Sequence, residues 1–211
     1  FSLNKEETNC IKLLAEKNGL TLYMSVLSLF TLLISKLSGQ DDIIIGSPTA
    51  GRNHPDMHHI VGMFVNTLAI RNKVNENDTL EEFLQKLKQT TLNSFENQDY
   101  QFEDLVERIS VYRDTSRNPL FDIAFNFMNQ EEADVDISGI YGKGLVHTSG
   151  ISKFDLTLTA TDYGEQLLLN FEYCTKLFKD ETINRFIGYF KQIINQVSKG
   201  LKKQISSFEI I

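Results

Sequence analysis

The apolar residues of this chain change period repeatedly along its length, and that alternation restricts the fold more than any other feature. Helical spacing comes first: in Leu3–Asn18 the residues Cys10, Ile11, Leu14 and Ala15 share one face, and Asn18-Gly19 ends the segment. Thr21 is placed to cap a second helix through its hydroxyl, and Ser38-Gly39 supplies a left-handed stop. Apolar residues cover most of that helix's circumference, so it packs on several sides. Ile43-Ile44-Ile45, held between Asp41-Asp42 and Gly46, has the continuous apolar character of a strand buried on both faces.

Ser47–Asp56 contains two of the three prolines together with Gly51 and Asn53, and reads as a loop. A strand is expected at about Asn66–Arg71. Asp78 and Glu81 have capping-box spacing ahead of a stripe formed by Leu80, Phe83, Leu84, Leu87, Leu92 and Phe95. A shorter helix follows at Phe102–Ile109. From Phe121 the period becomes two, with Ile123, Phe125 and Phe127 alternating with polar or small residues. Gln130–Tyr141 is acidic and unpatterned. Phe154, Leu156, Leu158 and Ala160 alternate again, and a turn at Asp162-Tyr163-Gly164 leads to Leu167, Leu169, Phe171 and Tyr173, a hairpin pattern. The last helix is expected to start at a cap on Asp180 and carries Ile183, Phe186, Ile187, Phe190, Ile194 and Val197. Interleaved elements without an internal repeat specify one α/β domain over residues 1–200: a two-layer sandwich in which a mixed β-sheet is backed by helices. Residues 201–211 read as the start of a linker.

The formal net charge of −7 argues against a nucleic-acid surface, and the one basic cluster, Lys199, Lys202 and Lys203, sits in the tail. Thr21–Leu37 is the most apolar stretch, but at 17 residues with three serines and two threonines it suits a core helix better than a membrane span. Cys10 and Cys174 are far apart and form no CxxC pair, which fits a reducing cytoplasm. Phe1–Cys10 has no basic start followed by an apolar run, and the opening FSLNKEE reads like the interior of a longer chain.

Proton-transfer chemistry would rest on His54, His58, His59 or His147. His54 and His58 have helical metal-ligand spacing, but Pro55 lies between them and no third ligand is near in sequence, so no metal is expected. Ser47, Ser149 and Ser152 lack a G-x-S-x-G elbow. Gly139, Gly142 and Gly144 do not follow a strand or open a helix, so they form no phosphate cradle.

Three other segments mix residues that a plain core would not need: VGMFVNTLAIR (Val61–Arg71), NQDYQFE (Asn97–Glu103) and RDTSRNPL (Arg113–Leu120). In order and spacing they resemble the fifth, sixth and seventh core motifs of the condensation domains of nonribosomal peptide synthetases. Those motifs run roughly [I/V]GxFVNTxxxR, [H/N]QDxPFE and RDxSRNPL. The upstream helix–strand text, SKFDLTL at Ser152–Leu158 and the late FEYCTKLF extend the likeness over essentially the whole chain. Gln101 stands where the family usually has proline. The catalytic HHxxxDG motif is missing, since His58-His59 is followed by Ile60-Val61-Gly62-Met63-Phe64. No catalytic residue is therefore assigned to this chain, and the histidine pair is read as surface residues beginning a helix.

The resemblance implies the C-terminal half of such a domain, one of two lobes similar to chloramphenicol acetyltransferase. In that family the lobes enclose a tunnel entered by the phosphopantetheine arms of donor and acceptor peptidyl carrier proteins. The acceptor amine attacks the donor thioester to give an amide. Implied partners are the N-terminal lobe, both carriers and an adjacent adenylation domain, with no cofactor of this chain's own. Gly62, Met63, Asn66 and Thr67 would line the tunnel; for Asn66 the alternative is a backbone cap. Gly62 would turn the chain so that Phe64 and Val65 enter the core. Gln98, Asp99, Arg113, Asp114, Arg117 and Asn118 would hold the surrounding loops, with Asp99 capping the Phe102 helix or pairing with an arginine. Residues 130–143 would form the arm crossing to the other lobe. A non-catalytic docking module, an epimerisation or heterocyclisation variant, and a freestanding acetyltransferase are the competing readings.

Overall fold

Local capping chemistry sets most helix ends. The computed structural model describes residues 1–109, 117–129, 150–198 and 200–210. Helix α1 (Lys5–Asn18) opens on a capping box between Asn4 and Glu7 and closes at Gly19 with φ 59°. Helix α2 (Leu22–Ser38) is capped by the Thr21 hydroxyl and closed by Gly39, as the sequence predicts. Helix α3 (Leu80–Glu96) departs by one residue, because its box joins Thr79 and Glu82 rather than Asp78 and Glu81. Asp78 turns instead to Lys86, whose ammonium lies 2.6 Å away. Helix α4 spans Phe102–Ile109. Helix α5 (Asp180–Val197) has Lys179 at its cap position and no side-chain cap bond; Asp180, the expected cap, accepts the Tyr173 hydroxyl.

The sheet is built from β1 (Asp42–Thr49), β2 (Asn66–Lys73), β3 (Ile123–Asn129), β4 (Leu156–Asp162) and β5 (Leu167–Tyr173), in the order β2-β1-β3-β4-β5. The outer pairs β1–β2 and β4–β5 are antiparallel and the inner pairs β1–β3 and β3–β4 parallel, so the sheet is mixed. Ser47–Thr49, expected in a loop, instead extend β1: Ser47 pairs with Leu68, Pro48 with Thr67 and Thr49 with Asn66. Pro48 is tolerated because the recorded register to β3 is Gly46 with Ala124, which leaves the proline beyond the parallel ladder.

Alternate residues of each strand feed one core. Leu68 and Ile70, Leu156 and Leu158, and Leu167, Leu169 and Phe171 join the apolar faces of α1, α2, α3 and α5. Phe30 of α2 packs against both Phe125 and Phe171, so it reaches β3 and β5 together. On the opposite face Leu168, Asn170 and Glu172 of β5 are exposed, which gives the two-layer α/β arrangement. No single helix among the described residues is long and apolar enough to cross a membrane.

The tail corrects one expectation. Residues 201–210 do not run free: the carbonyls of Lys203 and Leu201 accept from the amides of Leu80 and Glu81, satisfying free donors at the start of α3. Ile205, Phe208 and Ile210 are buried in the common core. The polar run Lys202-Lys203-Gln204 hides that apolar spacing in the sequence. The proposed arm at 130–143, Gly139, Gly142, Gly144, His147 and Ser149 lie outside the described residues.

Candidate functional site

Asn66, buried at the head of β2, draws the first two motif segments together. Its Nδ2 donates to the carbonyls of Gln98 and Tyr100, each at 2.8 Å. Its Oδ1 accepts from the amides of Thr67 at 2.8 Å and Phe102 at 3.2 Å. One side chain thus ties β2, the turn after α3 and the first residue of α4, whose free N-terminal donor it caps from 36 positions away. Of the two roles expected for Asn66, tunnel wall or backbone cap, its side-chain bonds are those of a cap. Both amide hydrogens and the carbonyl oxygen are spent on backbone groups.

Gln98 and Asp99 fasten the loop between β1 and β2 to the end of α3. Gln98 Oε1 accepts from the Thr49 hydroxyl at 2.6 Å, and Asp99 Oδ1 accepts from Asn53 Nδ2 at 2.5 Å. Among the described residues Asp99 neither caps α4 nor meets an arginine. At Gly51, where φ is 62°, a Cβ would collide with the Phe64 carbonyl oxygen, so the loop closes on itself only with glycine there. Arg52 then serves as the loop's centre. Its guanidinium lies 4.5 Å from the Phe64 ring centroid and donates to the carbonyls of Met57, Ile60 and Gly62.

That arrangement changes the expected course of the chain. Phe64 is half-buried under Arg52 and Val65 is exposed, so neither enters the core. Val61 is fully exposed at 100% and Met63 at 88%. Thr67 is half-buried on the strand position alternate to Asn66. Gly62, Met63 and Thr67 therefore present a surface, while Asn66 holds it in place.

Arg113 and Asp114 lie outside the described residues, and the expected network among Arg113, Asp114 and Arg117 lies outside them too. Arg117 Nη1 approaches Asp122 Oδ2 at 3.3 Å, and Asn118 Nδ2 donates to the Lys153 carbonyl at 3.0 Å. Burial pushes the Asp122 carboxyl above its usual range; the Asp155 charge adds to this and Arg117 opposes it. Leu120 takes a left-handed φ of 69°, a conformation rare outside glycine, just before Phe121. The Phe121 ring lies 5.4 Å from Phe102 and 5.6 Å from Phe154, centroid to centroid, so an aromatic row runs from α4 to the start of β4.

The histidines stand apart from this cluster. His54 Nδ1 accepts from the Asp56 amide and caps the 3-10 turn Pro55–Met57; His58 and His59 follow that turn, exposed, rather than beginning a helix. Among the described residues no group of three His, Cys, Asp or Glu is placed to hold a metal. Thr49, Arg52, Asn53 and Gly46 belong to the scaffold and were not anticipated. An arginine in a loop rich in glycine and proline, with a phenylalanine twelve positions on, is the one cue the sequence offered. The side chains bonded around Asn66 among the described residues, Gln98, Asp99, Thr49 and Asn53, hold a surface in place.

The family model for the condensation domain matches residues 1–211. The chain belongs to the condensation-domain family. Bacitracin synthase 3 of Bacillus licheniformis is 45% identical over 209 residues, which is 99% of this chain and 3% of that protein. Gramicidin S synthase 2 of Brevibacillus brevis is 44% identical over 211 residues, 100% of this chain and 5% of that protein. The chain thus spans a small fraction of the curated relatives it matches. A four-domain nonribosomal peptide synthetase solved with AMP and glycine superposes with a TM-score of 0.91 at 24% identity, covering 100% of this chain and 17% of that one. The X-domain from teicoplanin biosynthesis gives 0.83 at 16% identity, covering 100% and 48%. At those identities the likeness establishes the condensation-domain fold. In this condensation-domain chain the FVNT and NQD segments meet through the single side chain of Asn66.

Proposed function

We propose that this chain is the C-terminal lobe of an amide-forming condensation domain and forms one wall of its reaction tunnel. An acceptor amine on one carrier protein attacks the donor thioester on another; the new C–N bond forms as the C–S bond breaks and the donor's thiol leaves. The HHxxxDG motif belongs to an N-terminal lobe, and an adenylation domain lies beside the pair. The reaction is placed in the cytoplasm, in keeping with the free cysteines Cys10 and Cys174.

The observation carrying this reading is the contrast around Asn66. The motif segments are fastened by side-chain bonds to backbone, yet they leave Val61 and Met63 exposed, which is the character of a surface made for a mate. That the chain spans 48% of a solved domain of the same fold supports a missing half of similar size. The fit to the carriers' phosphopantetheine arms is selective. Asn66 has no bonding capacity left for a pantetheine amide, and the surface left for an arm is at Gly62, Met63 and Thr67.

The test is an amide-formation assay with loaded donor and acceptor carriers. This chain alone is expected to give no product, and chain plus N-terminal lobe, or the full domain, is expected to give the condensed product. Turnover by the chain alone would overturn the assignment. Carrier binding by the full domain without turnover would establish the docking-module alternative instead.

A further inference from the structure

β5 closes the sheet at the opposite edge from β2. The Cys174 amide donates to the Asp155 carbonyl, one step beyond the ladder between β4 and β5, and this fixes which groups of β5 face which way. Leu168, Asn170 and Glu172 bond toward β4, and the backbone groups of Leu167, Leu169, Phe171 and Tyr173 turn outward. Half of that outward row is already paired. The Leu3 amide donates to the Leu167 carbonyl at 3.0 Å, and the Leu169 amide donates to the Phe1 carbonyl at 2.9 Å. The Phe1 ammonium donates to the Leu169 carbonyl at 2.8 Å. Phe1, Ser2 and Leu3 therefore lie antiparallel along β5, with Ser2 opposite Leu168. The Phe1 ring also stacks on Phe171, 5.8 Å between centroids.

Among the described residues, the outward amides and carbonyls of Phe171 and Tyr173 meet no partner. Natural sheets protect a bare edge with lysine, proline or a bulge, or else cover it. β5 has none of the first three: its sequence LLLNFEY holds no lysine or proline, and its ladder with β4 runs unbroken from Leu167 to Tyr173. Covering by another strand is the remaining solution.

We propose that the outward groups of Phe171 and Tyr173 seat the polypeptide that leads into Phe1 in the longer protein, as a continuation of the strand begun by Phe1, Ser2 and Leu3. The inference rests on the reading above that another lobe precedes this one. Register names the occupant. Counting back from Phe1, the second residue falls opposite Phe171 and the fourth opposite Tyr173, in the ladder already formed at Leu167 and Leu169. A peptide amide in place of the Phe1 ammonium keeps the bond to Leu169. A segment tethered in the correct direction also pairs at a far higher effective concentration than a free strand. The second and fourth residues share the face of Phe1, which packs against the core, so apolar side chains are expected at both. The connection from the other lobe then arrives at β5, while the segments held by Asn66 lie at β2. Joint and wall occupy opposite edges of one sheet.

The test is amide hydrogen exchange in two 15N-labelled proteins, this chain and the same chain extended by the residues that precede Phe1 in the parent polypeptide. Exchange at Phe171 is expected to slow by about a hundredfold in the extended protein, with a smaller effect at Tyr173 and none at Leu168, Asn170 or Glu172. Proline at the second position before Phe1 removes the donor that faces the Phe171 carbonyl, and is expected to abolish the protection. That variant keeps every core residue of the chain, so it is expected to fold. Equal exchange in the extended and unextended proteins would overturn the proposal, as would protection that survives the proline. Protection in the unextended chain that grows with protein concentration would overturn it too, and would assign the edge to a second copy. The amide-formation assay plays no part in this measurement, so failure here leaves the acyl-transfer reading standing.

Discussion

The edge of the Phe121 ring occupies the space in which a side chain on Gly46 would begin. A Cβ built on Gly46 would overlap Cε2 and Cζ of that ring, and Phe121 is itself buried between Phe102 and Phe154. The residue that opens the run into β3 is thereby locked against β1, on the face that also carries Phe102 of α4.

Gly46→Ala is accordingly expected to destabilise the fold by about 1–3 kcal/mol, the usual cost of overpacking a filled site. Phe121→Leu in the same chain should recover part of that loss, because the two changes share one contact. Urea denaturation of the two single variants and the double variant measures the coupling. Strictly additive losses would show that the ring and the glycine are not the source.

Asn66 invites a second test. Asn66→Ala orphans the carbonyls of Gln98 and Tyr100 and the amides of Thr67 and Phe102. A loss of about 1–3 kcal/mol is expected, since several partly buried groups lose partners at once. Asn66→Asp keeps the acceptor but sets a carboxylate against two carbonyls, so it should be no better at neutral pH. Hydrogen exchange should accelerate first in α4, whose leading amide the side chain caps. Equal acceleration across the sheet would argue for a general packing defect.

What could be foreseen follows the range of the interactions. The Asn4, Thr21, Gly19 and Gly39 helix ends are set within a few residues, and period-two alternation in β4 and β5 needs only each strand's own residues. The Asp78 box missed by one because Thr79 and Glu82 carry the same spacing and compete for the same free donors. Asn66 was readable as either wall or cap because its partners, Gln98 to Phe102, lie more than 30 positions away. Gly46 and Phe121 were silent for the same reason, and no periodicity encodes a ring lying on a distant glycine.

Tyr23 supplies a test in pH. Its hydroxyl donates to the Ser47 hydroxyl at 2.7 Å, and its ring packs against Phe95, Phe125 and Phe127. Burial pushes its ionisation up to about 12, with the bond to Ser47 acting in the opposite direction. The folded form therefore keeps its proton over a range in which the unfolded tyrosine, near pH 10, gives it up. The stabilisation is complete below pH 10 and is lost as pH rises toward 12, by on the order of 2 kcal/mol. Tyr23→Phe should flatten that decline and cost about 1 kcal/mol at neutral pH. Denaturation curves between pH 9 and 12 for both proteins read the difference, and parallel declines would refute it.

The tail offers the sharpest distinction between a linker and a structural element. Phe208 is 2% exposed, with the Lys203 ammonium 4.7 Å from its ring centroid, and the carbonyls of Leu201 and Lys203 cap the start of α3. Truncating a buried phenylalanine costs about 3–5 kcal/mol, whereas the same change in a solvated linker costs almost nothing. Phe208→Ala should therefore lower the denaturation midpoint substantially. It should also speed exchange at the amides of Leu80 and Glu81, which are bonded to the tail rather than to their own helix. A midpoint unchanged from the parent would return residues 201–210 to the role of a free connection.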